Sequence, residues 1–337
     1  MKSPKLTISL PNYNHACFLS EAIESILTQP YKEFELIIVD DGSTDNSVEI
    51  IEQFARGDSR IIFLKNKKNM GVEFSLKRIL QHTTGEYIHF FSADDRIFPM
   101  FYENTMNLLA RYPDAGLCCS DFATLDGITG TISEKCFNIV DAPCCFSPSE
   151  IICLLKKTHF WISGFHSIVK RTALTEAGGF KPGLKWHCDW FSLHVIAFRH
   201  GICYIPEAMA ALRVLPNSYS SAGTKRFSEQ REVLRNMLDY LKSLEYKDVL
   251  LMFQKSNILS IFGKNMLRLM LANPKYVDFL SPRLIWSIFA LECRKIVSPY
   301  APEGLKVVYR DIHKMIAKKY FIRKYGSTKL TKQGKFI

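Results

Sequence analysis

The sequence predicts an α/β protein with a mostly parallel sheet, helices on both faces of that sheet, and a small α-helical C-terminal region. Short apolar and β-branched runs of strand length occur at residues 6–10, 34–39, 60–64 and 87–91. Segments with helical periodicity lie between these runs. Alternation of this kind is typical of crossover units, which place successive strands parallel in one sheet.

Helix signals support the same architecture. Four apolar residues between positions 16 and 29 recur at three-to-four spacing, and Asp45 is a suitable cap for a helix through residues 48–54. From about Thr224 onward the pattern changes to helix after helix. We therefore predict an α/β domain at residues 1–222 and a helical region with a basic tail at residues 223–337.

The composition favours a globular protein of a reducing compartment. The chain has 337 residues, of which 47% are hydrophobic, and this is enough for a large core. Its ten cysteines include two adjacent pairs, Cys118-Cys119 and Cys144-Cys145, a spacing that suits neither a zinc site nor a redox motif. We expect free thiols in the cytosol. The N-terminus has no pattern of a secretion signal, and no apolar run reaches the length of a membrane span.

The positive charge is concentrated at the C-terminus. The net charge is +11, and the segment from Arg310 to Ile337 holds nine basic residues and one acidic residue. Between Leu305 and Ile322, apolar residues can share one helical face with lysines and arginines around it. This pattern predicts peripheral contact with the cytoplasmic face of a membrane, or a helix that packs on the catalytic domain. No recognisable nucleic-acid motif accompanies the charge.

Polar and acidic residues follow three of the predicted strands. Residues 11–14 follow the first strand, residues 40–45 the second, and residues 92–95 the fourth. The carboxyl ends of parallel strands form the ligand-binding edge of an open sheet. Two acidic clusters at that edge indicate a ligand that compensates negative charge, such as a metal-bound diphosphate. Either cluster alone is also consistent with a turn or a helix cap.

The chain resembles the family 2 glycosyltransferases over roughly residues 5–222. The opening strand and helix of that family are matched by Pro11, Tyr13, Asn14, Glu21, Ser25, Ile26, Leu27 and Gln29. The next strand and its acidic signature are matched by residues 34–45, and later motifs by Asn69, Gly71, residues 85–88 and Asp94-Asp95. The second half continues the match at residues 178–180, 188–190 and 205–207, and at Arg213 and Ser218.

The resemblance implies a GT-A fold that binds a nucleoside-diphosphate sugar together with Mn²⁺ or Mg²⁺. It implies that Asp95 binds the metal and that Asp94 lies by the ribose or a metal-bound water. Asp189 would be the general base that activates an acceptor hydroxyl, so that a single displacement inverts the anomeric carbon. The donor-binding residues implied are Pro11, Tyr13, Asn14, Asp40, Asp41, Lys77 and Asp94. Asp189 is also consistent with a simple helix cap.

The chain departs from the family pattern at four places. Ser92 replaces the first aspartate of the metal motif, Cys188 replaces a glutamate before the expected base, and Leu215 replaces a histidine. Leu76-Lys77 stands where the family has Arg-Asn, so Lys77 or Arg78 is expected to contact phosphate. These departures leave a catalytically inactive sugar-binding or scaffolding protein as an alternative. A nucleotidylyltransferase is a second alternative, although no glycine-rich loop follows the first strand.

Aromatic and imidazole side chains are candidates for the acceptor side. They are Trp161, His166, Trp186 and His187. Such groups stack on sugars or form hydrogen bonds with them, and the tryptophans are equally consistent with a packed core. The predicted function is transfer of a sugar, from a UDP-sugar as first choice, to a saccharide or lipid-linked acceptor in surface polysaccharide synthesis.

Overall fold

The computed structural model of the protein describes residues 5–137, 139–158, 160–216 and 218–297. Its strands are β1 (Leu6–Asn12), β2 (Phe34–Asp40), β3 (Ile61–Lys65), β4 (Tyr87–Phe90), β5 (Arg96–Ile97), β6 (Leu117–Asp126), β7 (Ile132–Lys135), β8 (Cys144–Phe146), β9 (Ser167–Lys170) and β10 (Ile202–Val214). Its α-helices are α1 (Ala16–Leu27), α2 (Ser47–Gly57), α3 (Val72–His82), α4 (Phe101–Arg111), α5 (Pro148–Lys157), α6 (Arg171–Glu176), α7 (Cys188–His200), α8 (Tyr219–Lys225), α9 (Phe227–Leu241), α10 (Lys247–Ser256), α11 (Gly263–Leu271) and α12 (Pro282–Val297).

The strands form one sheet in the order β3-β2-β1-β4-β9-β6-β10-β5, with β7 paired to β6 and β8 to β10. The four strands predicted from the sequence are β1 to β4, and they pair in parallel. The α/β fold class is therefore confirmed. Beyond β4 the sheet is mixed, because β9 runs antiparallel to both β4 and β6, while β6 and β10 are parallel.

Helices cover both faces of the sheet. Along β2, Phe34, Leu36 and Ile38 face a core cluster that includes the buried side of α1 and α4, whereas Ile37 and Val39 face Ile79 of α3. Because successive strand residues point to opposite faces, this division shows that both faces are buried. A strand buried on both faces must be apolar throughout, and this explains why β2 is so clear in the sequence.

The helices after β10 pack on α7. Trp190, Phe191 and Phe198 of α7 share one core cluster with residues of α9 and α10, and the rings of Phe198 and Phe253 lie 5.0 Å apart. The predicted boundary between residues 222 and 223 falls inside α8. The described helical region therefore shares a core with the sheet domain instead of standing apart from it.

Two sequence predictions concern membranes. Within the described residues, no helix is long and apolar enough to span a bilayer. The predicted amphipathic segment at residues 305–322 and the basic tail lie outside the described residues.

Candidate active site

The carboxyl ends of β1 and β2 are joined through Asp40. This residue is fully buried, and its carboxylate accepts hydrogen bonds from Asn12 Nδ2 at 2.9 Å and from Ser43 N at 2.9 Å and Ser43 Oγ at 2.5 Å. Ser43 Oγ in turn accepts a bond from Asn14 N, and Asn14 Oδ1 accepts one from Thr44 N. Asp40 thus fixes the loops that follow both strands.

Asp41 fixes a third loop at the same edge. Its Oδ1 accepts bonds from Asn66 Nδ2 at 2.6 Å and Met70 N at 2.9 Å, and its Oδ2 accepts one from Gly71 N at 2.7 Å. Asp41 therefore ties the end of β2 to the segment that leads into α3. Arg78 Nη1 donates to Asn66 Oδ1 at 2.6 Å, so α3 is joined to the same network.

The remaining donor-side candidates border this edge with different exposure. Tyr13 has 40% of its surface exposed, Pro11 is half-buried, and Lys77 is exposed on α3. Of the two cations considered for phosphate contact, Arg78 is engaged with Asn66 and with the Lys65 carbonyl. Lys77 is thus the exposed residue of this pair.

Asp94 and Asp95 lie in the turn between β4 and β5. Asp95 is buried, its Oδ1 accepts a bond from Arg213 N at 2.9 Å, and Asp94 is half-buried beside it. Burial, followed by the charge of Asp94, raises the pKa of Asp95 well above its ordinary value. The Asp95 carboxyl therefore resists ionisation unless a positive charge binds beside it.

Arg213 of β10 holds this turn in place. Its Nε donates to the Asp94 carbonyl oxygen at 2.7 Å, its Nη2 donates to Glu21 of α1, and its guanidinium lies 4.4 Å from the centre of the Phe18 ring. Arg213 and Glu21 both belong to the motifs that resemble the family, yet no sequence pattern places them in one site. Their contact spans 192 positions, which local periodicity cannot detect.

Asp189 is positioned at the start of α7. Its Oδ2 accepts a hydrogen bond from Gly164 N at 3.0 Å, and burial raises the pKa of its carboxyl. A β-carbon added to Gly164 would lie 3.1 Å from Phe90 O and 3.6 Å from Asp189 Oδ2. Phe90 ends β4, the strand that leads to Asp94 and Asp95. Gly164 therefore lies between the expected base and the strand carrying the expected metal ligands.

His166 and Trp161 lie in and beside the core. His166 is fully buried, and its ring nitrogens contact Ser120 O at 2.7 Å and Ser163 N at 3.1 Å. Burial lowers the pKa of His166 to about 4, which favours the neutral ring. The structure thus leaves His166 no free ring nitrogen for an acceptor. Trp161 is half-buried against the larger core cluster.

Trp186 and His187 connect the site to the helical region. Trp186 Nε1 donates to Gln230 Oε1 at 2.7 Å, and Gln230 Nε2 lies 3.1 Å from His187 Nε2. The Trp186 ring also covers Gly223, where a β-carbon would approach it to 2.2 Å. Through these contacts, α8 and α9 hold in place the segment that directly precedes Asp189. Gln230 was not among the residues singled out from the sequence.

The acidic pair fits a hard divalent cation. Within the described part of the chain, no three His, Cys, Asp or Glu side chains form a complete metal site. Asp94 and Asp95 supply two carboxylates, and Mg²⁺ in particular is commonly held by one or two carboxylates together with phosphate oxygens and water. Burial and then the charge of Asp94 raise the pKa of Asp95, and a bound cation would favour the ionised form of both carboxyl groups.

A family model and curated proteins match the first half of the chain. Residues 7–170 match the model of the family described as "Glycosyl transferase family 2". Two curated relatives are named as glycosyltransferases of unestablished activity. EpsE of Bacillus subtilis strain 168 is 41% identical over 110 residues, which is 32% of this chain and 40% of EpsE. YibD of Escherichia coli strain K12 is 35% identical over 119 residues, which is 35% of this chain and 34% of YibD.

Solved structures share the fold over almost the whole chain. S. aureus TarS 1-349 in complex with UDP-GlcNAc has a TM-score of 0.60 at 17% identity, covering 95% of this chain and 92% of that one. The Pyrobaculum calidifontis mannosyltransferase PcManGT in complex with GDP-Man and Mn²⁺ has a TM-score of 0.56 at 18% identity, covering 94% and 86%. The fold and the family match together define a glycosyltransferase. Residues 7–170 of the chain form a family 2 glycosyltransferase domain, while the matched segments span well under half of the curated relatives.

Proposed function

We propose that this protein transfers a sugar from a nucleoside-diphosphate sugar to an acceptor hydroxyl with inversion at the anomeric carbon. The observation that carries the proposal is the position of Gly164, which donates to Asp189 and lies against the end of β4. A base and an acidic pair at one sheet edge are what a single displacement requires. The base activates the nucleophile, and the pair lies where the leaving diphosphate binds.

The donor occupies the loops that Asp40 and Asp41 hold. Both carboxylates accept hydrogen bonds from loop donors, so their role is to shape the pocket. The exposed Tyr13 ring can contact the nucleobase of the donor. We assign phosphate contact to Lys77, which is exposed on α3. A UDP-sugar is our first choice, since TarS 1-349 was solved with UDP-GlcNAc.

Asp95 and Asp94 would hold Mn²⁺ or Mg²⁺, which would neutralise charge on the leaving diphosphate. Asp189 takes the proton from the acceptor hydroxyl. Its raised pKa improves it as a base, because a base with a higher pKa takes that proton more readily once it is charged. Gly164 N holds the carboxylate in one orientation during this step.

We also propose that the acceptor is a saccharide or a lipid-linked molecule and that the protein works at the cytoplasmic surface of a membrane. The product would then contribute to surface polysaccharide synthesis. On α12, Trp286 and Phe289 have 68% and 58% of their surfaces exposed, and their ring centres lie 5.8 Å apart. The opposite side of α12 buries Leu284 and Ile288 in the core. A helix that is apolar on two sides needs a second apolar partner, and a bilayer interface suits exposed tryptophan.

The test is turnover by purified full-length protein with Mn²⁺ and a panel of UDP-, GDP- and dTDP-sugars, followed as nucleotide release with saccharide acceptors. A thermal-shift screen selects the donor first. We expect Asp189→Asn to keep the donor-induced shift and to lower turnover by about 100- to 10,000-fold. Asparagine retains an oxygen for Gly164 N, so the helix start is preserved.

Asp58→Asn is the matched control. Asp58 pairs with Arg60 just before β3, at the opposite edge of the sheet from the proposed site. This variant should retain turnover even where its stability falls. Normal turnover in Asp189→Asn, or equal losses in both variants, would exclude Asp189 as the base. Binding of a nucleotide sugar without any turnover would favour the inactive sugar-binding alternative.

A further inference from the structure

An arginine-lined cleft lies on the helical region, outside the site described above. It has a volume of about 180 Å³ and is bordered by α9 and α11, with Phe227, Arg231, Asn265, Arg268, Leu269 and Ala272 as lining residues. A shallower depression shares Phe227 and Arg231 with it and extends along α9 to Arg235. Nothing in the proposed transfer reaction uses these residues.

Three arginines that line the cleft or the adjoining depression form no ion pair with any residue that the structure describes. Arg231 and Arg235 are four residues apart on α9, so they lie on one face of the helix, and Arg268 of α11 lines the same cleft as Arg231. Among the described residues, no carboxylate forms an ion pair with any of the three, although Glu232 borders the shallower part. By contrast, Arg226 at the start of α9 is paired with Glu229.

The chemistry of the cleft fits a phosphoryl group. A planar guanidinium group donates two parallel hydrogen bonds to two oxygens of one phosphate, and the side-chain amide of Asn265 adds a neutral donor. Phe227, with 57% of its surface exposed, presents an aromatic ring to whatever carries the phosphoryl group. A sugar or an acyl chain would pack on that ring.

The cleft is coupled to the acceptor side through α9. Gln230, adjacent to Arg231, bonds Trp186 and contacts His187, and those residues directly precede Cys188 and Asp189. We propose that Arg231, Arg235 and Arg268 bind a phosphate or diphosphate group, carried by the acceptor or by a lipid headgroup. The acceptor assignment rests on the proposed function, whereas phosphoryl binding itself does not.

The first experiment is calorimetric titration of the full chain with inorganic diphosphate in the presence of EDTA, which disfavours binding at the metal site. The test variant is Arg231→Gln, Arg235→Gln and Arg268→Gln combined. We expect its dissociation constant to rise about tenfold or more, since charge-assisted hydrogen bonds are lost. The control combines Arg56→Gln, Arg111→Gln and Arg171→Gln, three exposed arginines on α2, α4 and α6, and should bind as the wild type does.

Lys77→Gln separates this cleft from the donor site, because Lys77 is the residue that we assign to phosphate contact there, and it should leave metal-free diphosphate binding unchanged. The inference is overturned if the wild type binds neither diphosphate nor phosphatidate vesicles. It is also overturned if both arginine variants weaken binding equally, or if Lys77→Gln abolishes it. Because the readout is binding, a protein that turns over no nucleotide sugar would refute the proposed function and leave this inference standing.

A second experiment distinguishes the sources of the phosphoryl group. Wild type and both arginine variants are sedimented with phosphatidylcholine vesicles, with and without phosphatidate. Phosphatidate-dependent pelleting that only the cleft variant loses identifies a lipid headgroup. Diphosphate binding with no phosphatidate-dependent pelleting identifies a soluble phosphorylated ligand. Either result supports the cleft as a phosphoryl site.

Discussion

Replacing Arg213 by methionine should destabilise the protein and weaken its metal binding together. Methionine keeps much of the apolar stem but removes the guanidinium, which joins the Asp94 carbonyl, Glu21 and the Phe18 ring. The Arg213 side chain is only 7% exposed, so water cannot replace these contacts fully. The Asp94 carbonyl would lose its donor, and the turn that positions both aspartates would lose its anchor to β10.

The expected loss in the free energy of unfolding is about 3 kcal/mol. A hydrogen bond to a buried carbonyl contributes about 1 kcal/mol, and a desolvated cation–π contact contributes about 1 kcal/mol. The bond to Glu21 also contributes about 1 kcal/mol, at the low end for a charged partner because Glu21 is 42% exposed and screened by solvent. Arg96 pairs with the same Glu21 but is 43% exposed, so Arg96→Met should cost no more than about 1 kcal/mol.

Arg213→Met should also lower the affinity for Mn²⁺ more than Arg96→Met does. The charge of Arg213 lowers the pKa of Asp95, so its removal raises that pKa further. Protons then compete more strongly with Mn²⁺, and the loss of affinity should grow as the pH falls. Urea unfolding followed by tryptophan fluorescence measures stability, and Mn²⁺ titration at two pH values measures affinity. Equal effects of Arg213→Met and Arg96→Met on both quantities would refute this account of the turn.

Three further predictions concern the site and α12. Asp95→Asn should remove the Mn²⁺-induced stabilisation, about 2.7 kcal/mol at a hundred times the dissociation constant, and an intact shift would mean that the metal binds elsewhere. Because burial raises the pKa of Asp189, turnover should fall as the pH is lowered through that raised pKa. The contribution of Asp189 to the free energy of unfolding has the opposite pH dependence, because the stabilisation from its protonated form is present at low pH and is lost as the pH rises through the raised pKa. A pH–rate profile in which turnover does not fall at low pH would contradict the assignment of Asp189 as the base. Trp286→Ser with Phe289→Ser should reduce pelleting with anionic vesicles while leaving turnover of a soluble donor unchanged, and undiminished pelleting would exclude α12 from the membrane contact.

The sequence predicted the first half of the sheet because burial on both faces leaves a continuous apolar run. Strands β1 to β4 satisfy that condition and were found within a few residues of their observed bounds. Later strands carry weaker signals. β9 has only four residues, and β10 contains Pro206 and Glu207 at a register shift, where its pairing with β6 is interrupted. Short or irregular strands give no clear period, so the mixed character of this half was not predictable.

Residue types at the site were predictable, whereas their environments were not. The sequence placed Asp40, Asp41, Asp94 and Asp95 after strands, and the structure brings all four to one sheet edge. It gave no indication that Asp40 and Asp41 have their oxygens occupied by loop donors. His166 illustrates the same limit. An imidazole near the expected acceptor side is a reasonable candidate by type, and only its burial shows that it packs in the core.

Two carboxylate environments now separate the expected roles within one site. Asp40 and Asp41 accept several N–H donors each, which holds them as fixed parts of the loops around the donor. Burial raises the pKa of Asp189 against the opposing effect of backbone hydrogen bonds from Gly164, Trp190 and Asp189 itself. A carboxylate that must take a proton needs a free lone pair and an environment that raises its pKa by destabilising the ionised form. A carboxylate that shapes a loop needs neither. The raised pKa of Asp189 is therefore in line with our proposal that it is the base, and the occupied oxygens of Asp40 and Asp41 are in line with our proposal that they shape the donor pocket.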